Sequence, residues 1–333
     1  MKNKHFNIPV FIPEAACPFQ CIYCNQRKIS GRLHIPDDDE IIGIIEERLA
    51  TIDPGNSEVE LAYFGGNFTG FSLEEQKHYL ELIQPYIRNG LITGIRLSTR
   101  PDYISDKILD LLKIYHVKTI ELGAQSLDDD VLKASKRGHT AADTEKASQI
   151  ILEKGFNLGL QMMIGLPDDT LEKSVYTAHR IIEMGATETR IYPTLVIRET
   201  LLEKHYQEGK YQPLSLDEAV NWSVQLLKIF EGGHLKILKL GLHPSEGLLS
   251  GKDLVAGPWH PSFRELVLTE IWREKLEPLM HESGDSILIE VPPDQINCAV
   301  GYEGKNKKML MRSFKVVKFR INSDLEGREY KVI

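Results

Sequence analysis

Six apolar runs of strand length, each closing in a loop of Gly, Pro or Ser and separated by amphipathic stretches, leave this chain few folds to choose from. The runs are "NIPVFIPEAAC", "VELAYFGGNF", "GIRLSTRPD", "TIELGAQS", "NLGLQMMIGLP" and "TRIYPTLVI". Between them, stretches such as "DDEIIGIIEERLATI" and "ISDKILDLLKIY" carry apolar residues every three or four positions, as at Ile108, Leu109, Leu111 and Leu112. Strand and helix in alternation, with room for parallel crossovers, predict an α/β chain folded as a partial (β/α)6 parallel barrel. In that architecture reactive residues gather where strands end and loops begin. The 333 residues accommodate such a barrel over 1–240, a helical connector over 241–283 and a small α+β domain over 284–333. No internal sequence repeat or low-complexity segment interrupts the series.

The loop after the first run holds Cys17, Cys21 and Cys24, three of the four cysteines in the chain. No run approaches twenty apolar residues, and "MKNKHFNIPV" lacks the apolar stretch of a signal peptide, so a cytoplasmic protein without a membrane partner is expected. Clustered thiols in a reducing compartment point to metal and not to a disulfide framework. A structural zinc site wants four protein ligands, and no second cysteine pair is present, although His34 offers a possible fourth donor. A cubane iron–sulfur cluster on three thiolates fits better, because its fourth iron stays open to a ligand. Tyr23 would set an aromatic ring against the cluster or a bound nucleoside. The net charge of −8 argues against a chain that coats nucleic acid over its whole surface and leaves room for a local basic patch.

Cys17-x3-Cys21-x2-Cys24 with an aromatic at position 23 resembles the cluster loop of the radical S-adenosylmethionine (SAM) enzymes. The blocks that follow resemble the branch containing the catalytic subunit of Elongator. They are "YFGGNFTG", "LSTRPDYI", "ELGAQSLDDDVLKASKRGHT", "QMMIGLPDDT" and "RIYPTLVIRETLLEKHYQEGKYQPLSLDEAV", in the family's order across roughly residues 7–240. The resemblance implies a 4Fe-4S cluster on the three cysteines and SAM chelated at its open iron. It also implies reductive cleavage of SAM to a 5′-deoxyadenosyl radical, and an electron donor of the flavodoxin or ferredoxin type. Fewer than a hundred residues follow position 240, so the resemblance carries over no acetyltransferase domain and no acetyl-coenzyme A site. The atom attacked, the product and any catalytic residue are not named by it.

Individual positions then acquire candidate roles toward SAM. Gly65 and Gly66, past the second strand, would let backbone approach the methionine end, or serve only as a tight turn. Asn67 stands where many relatives carry Glu. Ser98 and Thr99 offer hydroxyls at the end of the third run, and Glu121 an acceptor for ribose hydroxyls or an ordinary strand-edge charge. Gln125 follows four residues later. Arg137 resembles the family's basic residue for the methionine carboxylate, where a guanidinium pairs bidentately. His139 beside it reads as a helix cap. Gln161 is polar in an apolar run and so cavity-facing, with Met163 alongside. Tyr192 and Arg198 read as substrate-side groups, and Trp259, His260 and Arg264 as parts of a packed connector helix.

The last fifty residues read as strand, short helix, a Gly-x-x-Gly loop "GYEG", helix and strand, a KH-like RNA-binding core. Lys305, Lys307, Lys308 and Arg312, with Lys315, Lys318 and Arg320, form a basic run without an acid. A solvated helix face gives the same pattern. Cys298 reads as a small buried side chain. The expected function is a radical SAM enzyme for RNA, with tRNA foremost. The alternatives are a radical SAM enzyme for a small molecule and a non-catalytic metal- and nucleic-acid-binding protein.

Overall fold

The computed structural model describes residues 4–12, 16–17, 21–31, 34–53 and 57–333. Seven parallel strands form its main sheet, in chain order. They are β1 (Lys4–Phe11), β2 (Ser57–Phe64), β3 (Gly94–Thr99), β4 (Val117–Gln125), β5 (Asn157–Ile164), β6 (Glu188–Pro193) and, past a two-residue β7 (Val196–Ile197), β8 (Lys236–Leu240). Helices Asp38–Leu49, Leu73–Glu81, Asp106–Ile114, Ala141–Glu153, Leu171–Glu183 and Leu216–Gly232 cross over between successive strands. Asp37, Ser72, Thr140 and Ser215 start four of them with capping boxes, each side chain accepting from the backbone three residues on. Six of the seven strands are the six runs of the sequence; β8 is an addition to them.

Side-chain parity divides this sheet into two unlike faces. Ile8, Val59, Leu97, Leu122, Leu160 and Ile191 are fully buried in the core against the helices. The intervening positions on the other face hold Glu60, Arg96, Glu121, Gln161, Glu188 and Arg190, which bond to one another. The sheet curls around that polar face. Strands β2 and β6 would stand roughly 19 Å apart in a flat sheet, yet the Arg190 guanidinium lies 4.8 Å from the Phe64 ring centroid.

Beyond β8, β9 (Leu254–Ala256) pairs antiparallel with β7. The helix Phe263–Leu276 then serves two cores. Phe263, Val267 and Ile271 join the barrel core, while Trp272 and Leu276 join a second cluster with Ile289, Leu310 and Val317. That second cluster belongs to β10 (Gly284–Val291), β11 (Phe314–Ile321) and β12 (Lys331–Val332), in sheet order β11-β10-β12. Between β10 and β11 run the short helices Ile296–Val300 and Lys305–Leu310, as the sequence led us to expect. Among the described residues no helix is long and apolar enough to cross a membrane.

Candidate functional site

The cysteine loop lies at the carboxyl end of β1, where the barrel opens. Residues 13–15 and 18–20 of it lie outside the described residues. The rest is fastened at both sides: Ile22 N donates to Ser135 O (3.2 Å) and Leu202 N donates to Ile22 O (2.7 Å). A turn closes from Cys24 N to Cys21 O (3.0 Å), and Asn25 caps the short helix Gln26–Ser30. Cys21 is buried, Cys24 half-buried and Cys17 exposed. Among the described residues no three His, Cys, Asp or Glu side chains converge as a metal cage. His34 is exposed and bonded to Glu40 at 3.0 Å, apart from the cysteines.

Arg137 connects this loop to the sheet. Its Nη1 donates to Cys21 Sγ (3.4 Å) and its Nη2 to Gly123 O (2.8 Å), with the side chain almost fully buried. Burial works against its charge, but Tyr23 and Cys21 beside it outweigh burial and raise its pKa. Gly123 is what admits it: a Cβ there would stand 2.9 Å from Arg137 Nη2 and 2.9 Å from Gln125 Nε2. Gln125 occupies a bulge in the β4–β5 pairing with φ of 67°, and its Oε1 is buried without a partner among the described residues. Tyr23 packs beside Cys21, and burial, reinforced by that sulfur, lifts its hydroxyl well above the ordinary range while Arg137 pulls the other way. His139 does not cap a helix; Thr140 does. Burial, then the charges of Arg137 and Arg100, push the His139 imidazole down to about 3.

The end of β2 is tied to the cysteine loop through Asn67, which is fully buried. Its Nδ2 donates to Ala16 O (3.1 Å), while its Oδ1 accepts from Thr99 Oγ1 (2.6 Å) and Arg100 N (3.2 Å). Gly70 must lack a side chain, since a Cβ would collide with the Asn67 amide and stand 2.6 Å from Ala16 O. Gly65, at φ of 92°, takes a backbone conformation that favours glycine, and a Cβ there would stand 3.5 Å from the Phe11 ring. Gly66, Asn67 and Ser98 share a cavity of about 10 Å³, room for about one water molecule. Ser98 accepts from Gln161 Nε2 at 3.1 Å.

Inside the barrel, Glu121 is the hub. Arg190 forks onto it at 2.6 and 3.0 Å, Gln161 Nε2 donates to it at 2.9 Å, and Arg96 lies 3.6 Å away. Burial opposes the Arg190 charge, and Glu121 with Tyr192 more than restores it. Arg96 completes a lower layer with Glu188 (2.5 Å) and Glu60 (3.5 Å). The sequence singled out Glu121, Gln161 and Tyr192 here, and neither Arg96 nor Arg190.

Other expectations fall away from this mouth. Arg198 is half exposed and donates to Lys252 O (2.9 Å), so it braces a neighbouring loop instead of facing the barrel. Trp259 packs against the small cluster of Leu195, Ile197 and Leu248, and the His260 ring meets Tyr302 edge-on at 5.2 Å. Cys298 packs against the second core, where burial raises its thiol pKa. Lys305, Lys307, Lys308 and Arg312 are exposed. The basic run is less bare than its sequence: Lys315 pairs with Asp285 (2.6 Å) and Arg320 with Glu290, both reached across the strand pair.

Comparison with known proteins adds a lineage to this geometry. The sequence matches the model of the Radical SAM superfamily over residues 12–181 and that of the Radical_SAM C-terminal domain over residues 187–273. The tRNA uridine(34) acetyltransferase of Dehalococcoides mccartyi is 25% identical over 240 residues, covering 62% of this chain and 52% of that protein. Elongator complex protein 3 of Schizosaccharomyces pombe is 32% identical over 139 residues, 41% of this chain and 26% of the relative. The chain therefore spans about half of the first relative and a quarter of the second. The archaeal Elp3 of Methanocaldococcus infernus, solved without residues 1–46, superposes with a TM-score of 0.66 at 20% identity, over 83% of this chain and 64% of that one. At that identity the likeness is one of fold.

Proposed function

Starting from the premise that this chain belongs to the radical SAM superfamily, and is therefore an enzyme and not a passive binding module, we propose that it cleaves SAM reductively to modify RNA, with tRNA the favoured substrate. Cys17, Cys21 and Cys24 would hold the 4Fe-4S cluster, and SAM would sit against Arg137, Gln125 and the Gly65–Gly66 turn. The observation that carries this reading is Arg137, buried between Cys21 Sγ and the Gly123 carbonyl, in the cradle that the missing Gly123 side chain leaves open. The donors present fit the pair of cofactors. Three thiols suit iron, and two buried polar atoms, Arg137 Nε and Gln125 Oε1, have no partner among the described residues.

When bound, the cluster and SAM supply one-electron cleavage chemistry; an electron donor of the flavodoxin or ferredoxin type would feed it. The chain's own part is to bind, orient and exclude water. Arg137 supplies a fixed cation for a carboxylate. Tyr23, with its hydroxyl proton held far above the ordinary range, offers an apolar, neutral ring beside the thiols. Asn67 holds the cysteine loop against the ends of β2 and β3 by bonds already in place. The RNA assignment draws on the names of the relatives above and on the exposed lysines at 305, 307 and 308.

Anaerobic reconstitution with iron and sulfide tests the proposal. About four irons and four sulfides per chain are expected, with 5′-deoxyadenosine released from SAM on dithionite reduction. Cys17→Ala, Cys21→Ala and Cys24→Ala should each lose both, whereas Cys298→Ala should keep them. Stoichiometric zinc without cleavage would end the radical reading. Nucleoside mass spectrometry of bulk RNA from cells with and without the gene tests the substrate, and a change confined to metabolites would favour a small molecule.

A further inference from the structure

Among the described residues strand β8 is an edge of the main sheet, paired with β6 alone. A one-residue shift in their register follows Ile237, so Lys236 aligns with Glu188 but Lys239 aligns with Arg190. Lys239 is thereby turned toward the polar inner face, next to a guanidinium, with Glu265 the acid that acts on it. Among the described residues no ion pair is formed by Lys239, Lys236 or Arg264. All three line a cavity of about 390 Å³ along the free side of β8, whose other walls include Leu242 and Phe263. That volume lies within the range of ligand sites. Glu265 is the one acid among the lining residues; it is exposed, as are Lys236 and Arg264, while Lys239 is half-buried.

We propose that this cavity is an oxyanion site, in which Lys239 and Arg264 seat a phosphate group of the substrate at the open edge of the barrel. Three cations around apolar walls suit a phosphate ester, whose charge meets the nitrogens while its organic part meets Leu242 and Phe263. Electrostatics at the site agree. Burial, then Arg190, lower the Lys239 pKa; Glu265 pulls the other way and Arg264 adds to the lowering, while burial and Lys239 lower that of exposed His243. The group therefore stands in an excess of positive charge that an anion would relieve. The inference rests on the reading of the barrel as a substrate chamber, not on what the chemistry there is.

Reductive methylation of the full chain, read by mass spectrometry at Lys239, tests binding without the cluster. Exposed Lys146 serves as the internal reference. At physiological salt, protection of Lys239 by bulk tRNA but not by inorganic pyrophosphate would place the phosphate in an RNA backbone. Protection by both would assign a free phosphorylated molecule. Protection by neither would overturn the site. Lys239→Gln and Arg264→Gln should each weaken the protecting ligand by about tenfold, and for tRNA should reduce the salt slope by about one each. Unchanged affinity in the double variant would equally overturn it. Because protection is read on the unaltered protein, a variant that unfolds does not block the test. Loss of SAM cleavage with protection intact would sink the radical reading alone.

Discussion

Arg190 forks onto both carboxylate oxygens of Glu121 with the pair almost wholly out of water, so each charge depends on the other. Removing one partner strands the remaining ion, which costs about 3–5 kcal/mol, far more than the pair contributes net. We expect Arg190→Gln to lower stability by about that amount in urea unfolding, because Gln161 and the more distant Arg96 cannot replace a bidentate cation. Glu121→Gln with Arg190→Gln should recover part of the loss, since two neutral amides leave no orphan charge. Strictly additive losses would show that the two residues are not coupled. Gln161 was legible in the sequence, because a polar residue in an apolar strand declares an inward face; Glu121 was singled out only as an acceptor for ribose hydroxyls or an ordinary strand-edge charge. Arg190 was not, because its partner lies 69 residues away and only the curl of the sheet brings them together.

The strands were legible for a similar reason and to a similar limit. Six of them alternate or run apolar long enough to stand out; β8 is five residues with two lysines, and its register shift spoils the alternation. The loops hold their meaning in three dimensions. After β5, Gly165 at φ of 71° lets its N–H donate to Asp169 Oδ2 (2.8 Å), which also accepts from Ser174 (2.9 Å), while Tyr211 donates to the Gly165 carbonyl (2.6 Å). Burial outweighs those bonds and pushes the Asp169 carboxyl up to about 6. Its native pKa thus exceeds its unfolded one, near 3.9. Below the lower value both states hold the proton and there is no penalty; as pH rises from about 4 to 6, stability is lost. Buried His139, pushed down to about 3, acts oppositely, losing stability as pH falls from 6.5. The difference between Asp169→Asn and the unaltered protein isolates the first effect. The variant should gain on the order of 2 kcal/mol between pH 4 and pH 7, read as a pH series of denaturant midpoints. A difference that stays flat with pH would contradict an Asp169 carboxyl held above its ordinary range.

At the scale of the molecule, the helix Phe263–Leu276 shares itself between two cores, and the carboxy-terminal unit is fastened to it through the glycine loop. Tyr302 N donates to Thr269 Oγ1 (2.7 Å) and Asn306 Nδ2 to Thr269 O (3.0 Å). Gly301, at φ of 84°, could not carry a Cβ, which would stand 2.9 Å from both Asn306 N and Thr269 Cγ2. The first glycine of "GYEG" is thus explained by docking, whereas Gly304, with open space around it, is not. The sequence showed the order of elements here but could not show that one side of the loop is already occupied. What is left for a phosphate backbone is the exposed side, with Lys305, Lys307 and Lys308 on one short helix. If RNA lies there, each neutralised phosphate releases counterion, and affinity must fall steeply with salt. Replacing those three lysines together by Glu should weaken tRNA binding substantially and flatten its salt dependence. Lys315→Glu should do much less, because that charge is already paired with Asp285. SAM cleavage without RNA should survive both changes, since Arg137 and the cysteines are in the other core. A filter-binding titration at two salt concentrations separates the cases. Equal losses in the triple variant and in Lys315→Glu would mean a diffuse charge effect, and no loss in either would leave the Lys239 edge of the barrel as the place to look for the phosphate.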